Sequence, residues 1–216
     1  MNLKTAFTGL ALVAGLAASQ VNAQSLPIVD GFTSVKLTSA PTLTAAGLSV
    51  GVLGSALFSP GSDGLPLAYF PITGGLLNTG TFAGSIEHNG SGLRLSTASA
   101  SVNLTDFVIN TSALTLSGDV AFGGTSLADV PLFNLSASGD LSAPFTLTLT
   151  STAAGALTTI FGLPNLTGLT VGVANTLPVT TVPEPATYLS LLGGLALIGG
   201  SLARRRAQAQ AETSSV

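Results

Sequence analysis

The chain has 216 residues, of which only 7% are charged and 46% hydrophobic, with 26 glycines and no cysteine. Ordinary soluble domains carry about 25% charged residues, so a conventional charged surface is excluded, and the lack of cysteine excludes disulfides and thiolate metal sites. High hydrophobicity at low charge is the reverse of a disordered composition, so the central part is expected to fold as one domain with a weakly charged, hydroxyl-rich surface.

Residues 1–23 have the layout of a secretory signal peptide. Lys4 supplies the basic start, 6–18 is an apolar or small-residue run, and small side chains precede a cleavage point between Ala23 and Gln24. The run is too short for a membrane span. No twin-arginine pair precedes it, so export by the general secretory route and cutting by signal peptidase are expected.

Residues 24–181 form the exported domain. Seven carboxylates (Asp30, Asp63, Glu87, Asp106, Asp119, Asp129, Asp140) face two bases, Lys36 and Arg94, for a net charge of −5. That balance offers no footprint for nucleic acid and no polybasic patch for anionic lipid. The hydrophobic pattern is mostly of period two. Leu93 and Leu95 alternate with Arg94 and Ser96; Leu114, Leu116, Val120 and Phe122 alternate with Thr115, Ser117, Asp119 and Ala121; Phe145, Leu147 and Leu149 alternate with threonines. Half-buried antiparallel strands follow from this alternation. The apolar phase changes at Asp106, where a bulge is expected. Asn89-Gly90-Ser91-Gly92 reads as a hairpin turn, and Gly123-Gly124 and Ser138-Gly139-Asp140 as further turns. Residues 152–161 instead place apolar side chains at helical spacing, with Ser151 or Thr152 as the cap and Gly162 as the stop. A last strand or extended run is expected over 171–181. The fold class is thus mainly β: an antiparallel sandwich or barrel-like domain with one short helix. An outer-membrane barrel fits less well, because of the helix and the short strands.

Residues 182–206 carry the most specific signal. Pro183-Glu184-Pro185 precedes the uncharged apolar stretch 186–203, and Arg204, Arg205 and Arg206 follow at once. Eighteen residues at 1.5 Å each reach about 27 Å, enough for a bilayer core. The arginines favour a cytoplasmic end, leaving 207–216 as a cytoplasmic tail. These three elements in this order resemble the PEP-CTERM sorting signal of Gram-negative bacteria. The resemblance implies an exosortase-type enzyme as partner, transient anchoring in the inner membrane, processing near Pro183, and delivery to the cell surface or an exopolysaccharide matrix.

Within the domain, His88 is the one histidine, and it follows Phe82, Gly84 and Ile86 in period-two phase. A single histidine without cysteine is a poor metal site unless carboxylates help, so neither a metal nor another cofactor is assigned. Residues 81–95, Val130-Pro131-Leu132-Phe133 and the helix at 153–161 resemble HtaA-type haem-binding domains. In that family a tyrosine upstream of the histidine ligates iron; here Tyr69 is the only upstream tyrosine and lies close to His88. His88 is therefore the candidate ligand-binding residue. No catalytic residues are assigned, since no nucleophile elbow and no calcium loop occurs. Asn89, Asn103, Asn110, Asn134 and Asn165 each open a glycosylation-type triplet, a pattern that a Ser/Thr-rich chain also produces by chance, so no one of them is assigned as a glycosylation site. Two function classes follow: a non-catalytic surface or matrix protein, and a small-ligand module with haem as the named candidate.

Overall fold

The computed structural model describes residues 24–140 and 142–181. In chain order the elements are β1 (Ser25–Lys36), α1 (Ala40–Ala45), β2 (Ser49–Gly54), β3 (Leu57–Pro60), β4 (Pro66–Pro71), β5 (Gly74–Asn78), β6 (Gly84–Ser96), β7 (Ser101–Asn110), β8 (Thr115–Phe122), β9 (Thr125–Ala137), β10 (Phe145–Leu149), α2 (Ser151–Phe161) and β11 (Thr170–Thr180). Ala23, Pro183, Glu184, Pro185, Arg204, Arg205 and Arg206, with the signal peptide and the apolar stretch, lie outside the described residues. Among the described residues no helix is long and apolar enough to cross a membrane.

The expected antiparallel sheet is present, and it closes on itself. Strands β5 to β11 pair in sequence, except that β1 stands between β5 and β11 and completes the ring. Along one side of β1, β4 pairs with Phe32–Lys36 and β5 with Ser25–Pro27. The β5 half joins the start of β6, whereas the β4 half joins β3, and the end of β6 joins β2. The seam is therefore shut at one end and splayed at the other. The shut end holds the domain's termini: the Gln24 carbonyl accepts from Thr79 N, and Thr181 N donates to the Pro27 carbonyl. The splayed end holds both helices.

Inward side chains of the strands fill the barrel. Phe70 meets Phe107 edge-on at 5.4 Å, and Ile86, Leu116, Leu135, Leu147 and Ala174 surround them. Burying the Phe, Ile and Leu side chains among them stabilises the fold by roughly 1.5–3 kcal/mol each. Gly118 faces inward, and a Cβ there would come within 2.8 Å of the Phe107 ring; the missing side chain is the room that ring occupies. At the splayed end Leu43, Leu48 and Leu163 form a second cluster, against which Leu157 and Phe161 of α2 pack.

The helix expected at 152–161 is α2, ended by Gly162 in the left-handed conformation. Its cap is Thr150, not Ser151 or Thr152: Thr150 Oγ1 accepts from Ala153 N at 3.1 Å and donates to the Pro131 carbonyl at 2.7 Å. By period two Thr150 continues the threonine face of β10, but its hydroxyl caps the helix that follows. Helix α1 was not expected; it is a single short turn opened by Pro41 at its start.

The bulge at Asp106 is observed, as a register shift between Thr105 and Val108 with Asp106 at φ 53°. The hairpin at Asn89-Gly90-Ser91-Gly92 is not. Strand β6 runs through it, and the β6–β7 register jumps from His88↔Phe107 to Gly92↔Thr105. Gly90 takes a left-handed φ of 75°, and its N–H donates to Asp106 Oδ1 at 2.7 Å. Asn-Gly chemistry here makes a bulge locked to the facing bulge instead of a chain reversal. Leu114, expected on an inward face, is 46% exposed in the β7–β8 turn.

Candidate functional site

The bulge pair fixes the one histidine. His88 is 1% exposed and points into the barrel from β6. Ser91 Oγ donates to the His88 carbonyl at 3.0 Å, tying down the backbone on one side of the bulge. Nδ1 lies 3.1 Å from the Phe107 carbonyl, Nε2 lies 2.7 Å from Thr33 Oγ1, and Thr33 Oγ1 lies 2.8 Å from Thr176 Oγ1. A carbonyl only accepts, so Nδ1 carries the proton. Burial pushes the imidazole down to about 4, against a smaller upward pull from the Phe107 carbonyl, so the ring is neutral near pH 7. Nε2 of a neutral ring then accepts from the Thr33 hydroxyl, whose oxygen lies within hydrogen-bond distance of the Thr176 hydroxyl. The result is a polar line across the barrel, with every hydrogen-bonding atom of the ring satisfied.

Chemically this line is a closed one. Beside it lies a void of about 30 Å³ lined by Thr33, Val35, Phe70, His88, Phe107 and other carbon-rich side chains. Ligation by Nε2 would have to displace Thr33. The ring's other nitrogen faces a carbonyl and not a carboxylate, so the Thr33–His88 pair lacks the orienting acid of a nucleophile–base–acid set. Among the described residues no group of three His, Asp or Glu side chains converges on a point. Tyr69 is on β4 with the opposite phase to the buried Ala68 and Phe70, and its ring lies 6.0 Å from Phe32. The structure does not bring Tyr69 and His88 together: one is outside the barrel wall, the other inside.

Two larger spaces flank this centre. At the splayed end a cavity of about 130 Å³ lies between the sheet and α2, lined by Leu95, Val102, Leu104, Phe133, Leu157 and Ile160 among others, with Thr152 as its one hydroxyl-bearing residue. At the terminal end an open groove of about 670 Å³ is lined by Leu77, Phe82, Ile86, Phe145, Leu177, Val179 and five threonines. Thr176 belongs to that groove, so the line from His88 ends at its floor. Sequence reasoning missed Thr33 and Thr176. Both are ordinary strand threonines, and only their meeting inside the barrel sets them apart.

Of the residues assigned to signal cleavage and sorting, only Gln24 is described, just before β1. The PEP-CTERM protein-sorting motif matches residues 181–207, beginning one residue after β11. Among solved structures, the C-terminal domain of HtaA from Corynebacterium glutamicum is similar in fold, with a TM-score of 0.50 at 13% identity over 71% of this chain and 98% of that one. The haem-binding protein HtaB from Corynebacterium glutamicum aligns with a TM-score of 0.47 at 12% identity, over 73% of this chain and 96% of that one. The search of curated proteins found no match.

Proposed function

We propose that the protein is an exported, non-catalytic surface or extracellular-matrix protein of a Gram-negative bacterium, freed by an exosortase-type enzyme that cuts near Pro183. One observation carries this reading. The last strand ends at Thr180 and the sorting motif opens at residue 181, so a cut near Pro183 separates the signal without removing a strand. The released barrel keeps every pairing of β11 with β1 and β10. Its outer face suits a polysaccharide environment. Asn110, Thr115, Asn134 and Thr148 lie abreast across β7 to β10, a row of amides and hydroxyls without charge. The test is the mass of the mature protein from cells with and without the host's exosortase. A C-terminus near Pro183 only when the enzyme is present supports the reading; an intact end at Val216 in both strains overturns it.

A second reading is a small-ligand module, favoured by the cavity beneath α2. An apolar space of about 130 Å³ takes a small uncharged hydrophobe, since cavities of that size and lining stay dry and accept such guests. Haem fits this chain less well. The residue held against His88 is Thr33, which has no phenol with which to ligate iron, and Tyr69 faces away. Titration with haem is expected to leave the Soret band at its free position; a shift abolished by His88→Ala would reinstate haem.

A further inference from the structure

The terminal end of the barrel carries apolar side chains where its turns should be polar. Phe82, at the tip of the β5–β6 connection, is 68% exposed, and Leu114, in the β7–β8 turn, is 46% exposed. Both have left-handed backbones, with φ of 56° and 52°. Asn and Gly enter that region at least cost, whereas Phe and Leu are strained there. Turn geometry therefore does not account for these two side chains. The tips are tied together, since Thr111 Oγ1 donates to the Phe82 carbonyl at 2.7 Å. Beside them on β11, Leu177 and Val179 are about half exposed. Neither 78–84 nor 110–115 contains a charged residue; the carboxylates nearest this end, Asp30, Glu87 and Asp140, sit on β1, on β6 and in the β9–β10 connection.

The same end emits the C-terminal segment. Thr181 is still hydrogen-bonded to Pro27, and the apolar stretch begins five residues later at Ala186. Five residues span at most about 17 Å even when fully extended. The barrel thus cannot stand far from whatever holds that stretch, and its terminal end must face it.

We infer that this apolar crown is a lipid-contact surface: before processing, Phe82 and Leu114 dip into the outer leaflet and seat the barrel upright on the bilayer. This rests on the reading of 186–203 as a membrane span. The ligand is the headgroup–acyl boundary of the membrane, entered by exposed apolar side chains with no basic patch to attract anionic lipid. The seat also holds the segment near Pro183 at the membrane surface. After the cut the crown alone remains, and a few side chains of shallow insertion give only weak, reversible attachment, which suits release.

The absence of cysteine makes the test direct. Full-length Phe82→Cys and Leu114→Cys, each spin-labelled, are placed in phosphatidylethanolamine–phosphatidylglycerol vesicles beside two exposed controls. Leu57→Cys lies on the side wall, and Ser99→Cys lies in the β6–β7 turn at the opposite end. Collision of the label with oxygen, which prefers lipid, is compared with collision with a nickel chelate, which stays in water. The oxygen-to-nickel ratio is expected to be roughly threefold or more higher at 82 and 114 than at 57 and 99, as for side chains at the acyl boundary. Equal ratios at all four positions in vesicles that float with the protein overturn the lipid seat and leave the span standing. Protection at 82 and 114 only when exosortase is present assigns the surface to the enzyme and also overturns it. Protein that fails to float overturns the span and the seat together.

Discussion

The two ends of the barrel treat apolar surface in opposite ways. At the splayed end, α1 and α2 fold over the opening, and Leu43, Leu48 and Leu163 are buried between them. At the terminal end no helix among the described residues covers the opening, and Phe82, Leu114, Leu177 and Val179 face outward. Both ends belong to one closed sheet, so the contrast is not a consequence of strand topology. It comes from the connections. The long ones, between β1 and β2 and between β10 and β11, carry helices that shut one end, while the short ones at the other end add no cover of their own.

The contrast predicts unequal responses to the same kind of truncation. Leu48→Ala at the covered end is expected to cost about 2–5 kcal/mol, since Leu48 is 1% exposed and its removal leaves a cavity between the helices. Urea unfolding monitored by far-ultraviolet circular dichroism measures it. A cost close to zero would mean that the helical cap adds nothing to the stability of the sheet, and the two ends would then be alike.

The centre between the ends is expected to sense pH. The folded-state pKa of His88 is lowered to about 4 from the ordinary 6.5, so the unfolded chain binds the proton more tightly. Stability from this group is complete above about pH 6.5 and is lost as pH falls towards 4, by roughly 3 kcal/mol at 1.36 kcal/mol per pKa unit. Carboxylates begin to titrate near the lower limit. The informative comparison is therefore the slope between pH 6.5 and 5 in the native chain and in His88→Gln, where it should flatten.

How much of this was legible follows the range of the interactions. Period two and turn chemistry are local, and they located β8, β10, the Gly123-Gly124 turn and the bulge at Asp106. Helical spacing with Gly162 located α2. The Asn89-Gly90 step misled because a left-handed glycine serves a bulge as readily as a hairpin, and the deciding partner, Asp106, is 16 residues away. Leu114 misled because an apolar residue in phase with a strand reads as core even when the chain has already turned. Closure of the barrel and the His88 line had no local signal. Thr33 meets His88 across 55 residues and Thr176 across 143, and a threonine on a strand looks the same whichever way it faces.

A smaller effect tests how firmly α2 is fastened over its opening. Thr150→Ala removes the cap of α2 and the bond to the Pro131 carbonyl together. A loss of about 1–2 kcal/mol is expected from the cap. Thr150→Ser restores both bonds, so recovery in that variant separates hydrogen bonding from packing. If Thr150→Ala and Thr150→Ser behave alike, the helix is held by Ala153, Ala154 and Leu157 alone.

The smallest effect is expected where apolar exposure is greatest. Phe82→Ser should change unfolding free energy by less than about 0.5 kcal/mol, because an exposed side chain at a turn gives up little packing when truncated. Phe82→Asn, which suits the left-handed φ of 56°, should be neutral or slightly stabilising. Covered and bare ends then differ not in hydrophobicity but in what the hydrophobic side chains do: at one end they hold the fold together, and at the other the fold holds them out. A Phe82→Asn variant less stable than the native chain by more than 1 kcal/mol would place Phe82 among the residues that hold the barrel shut, and the distinction between the two ends would fail at its most exposed residue.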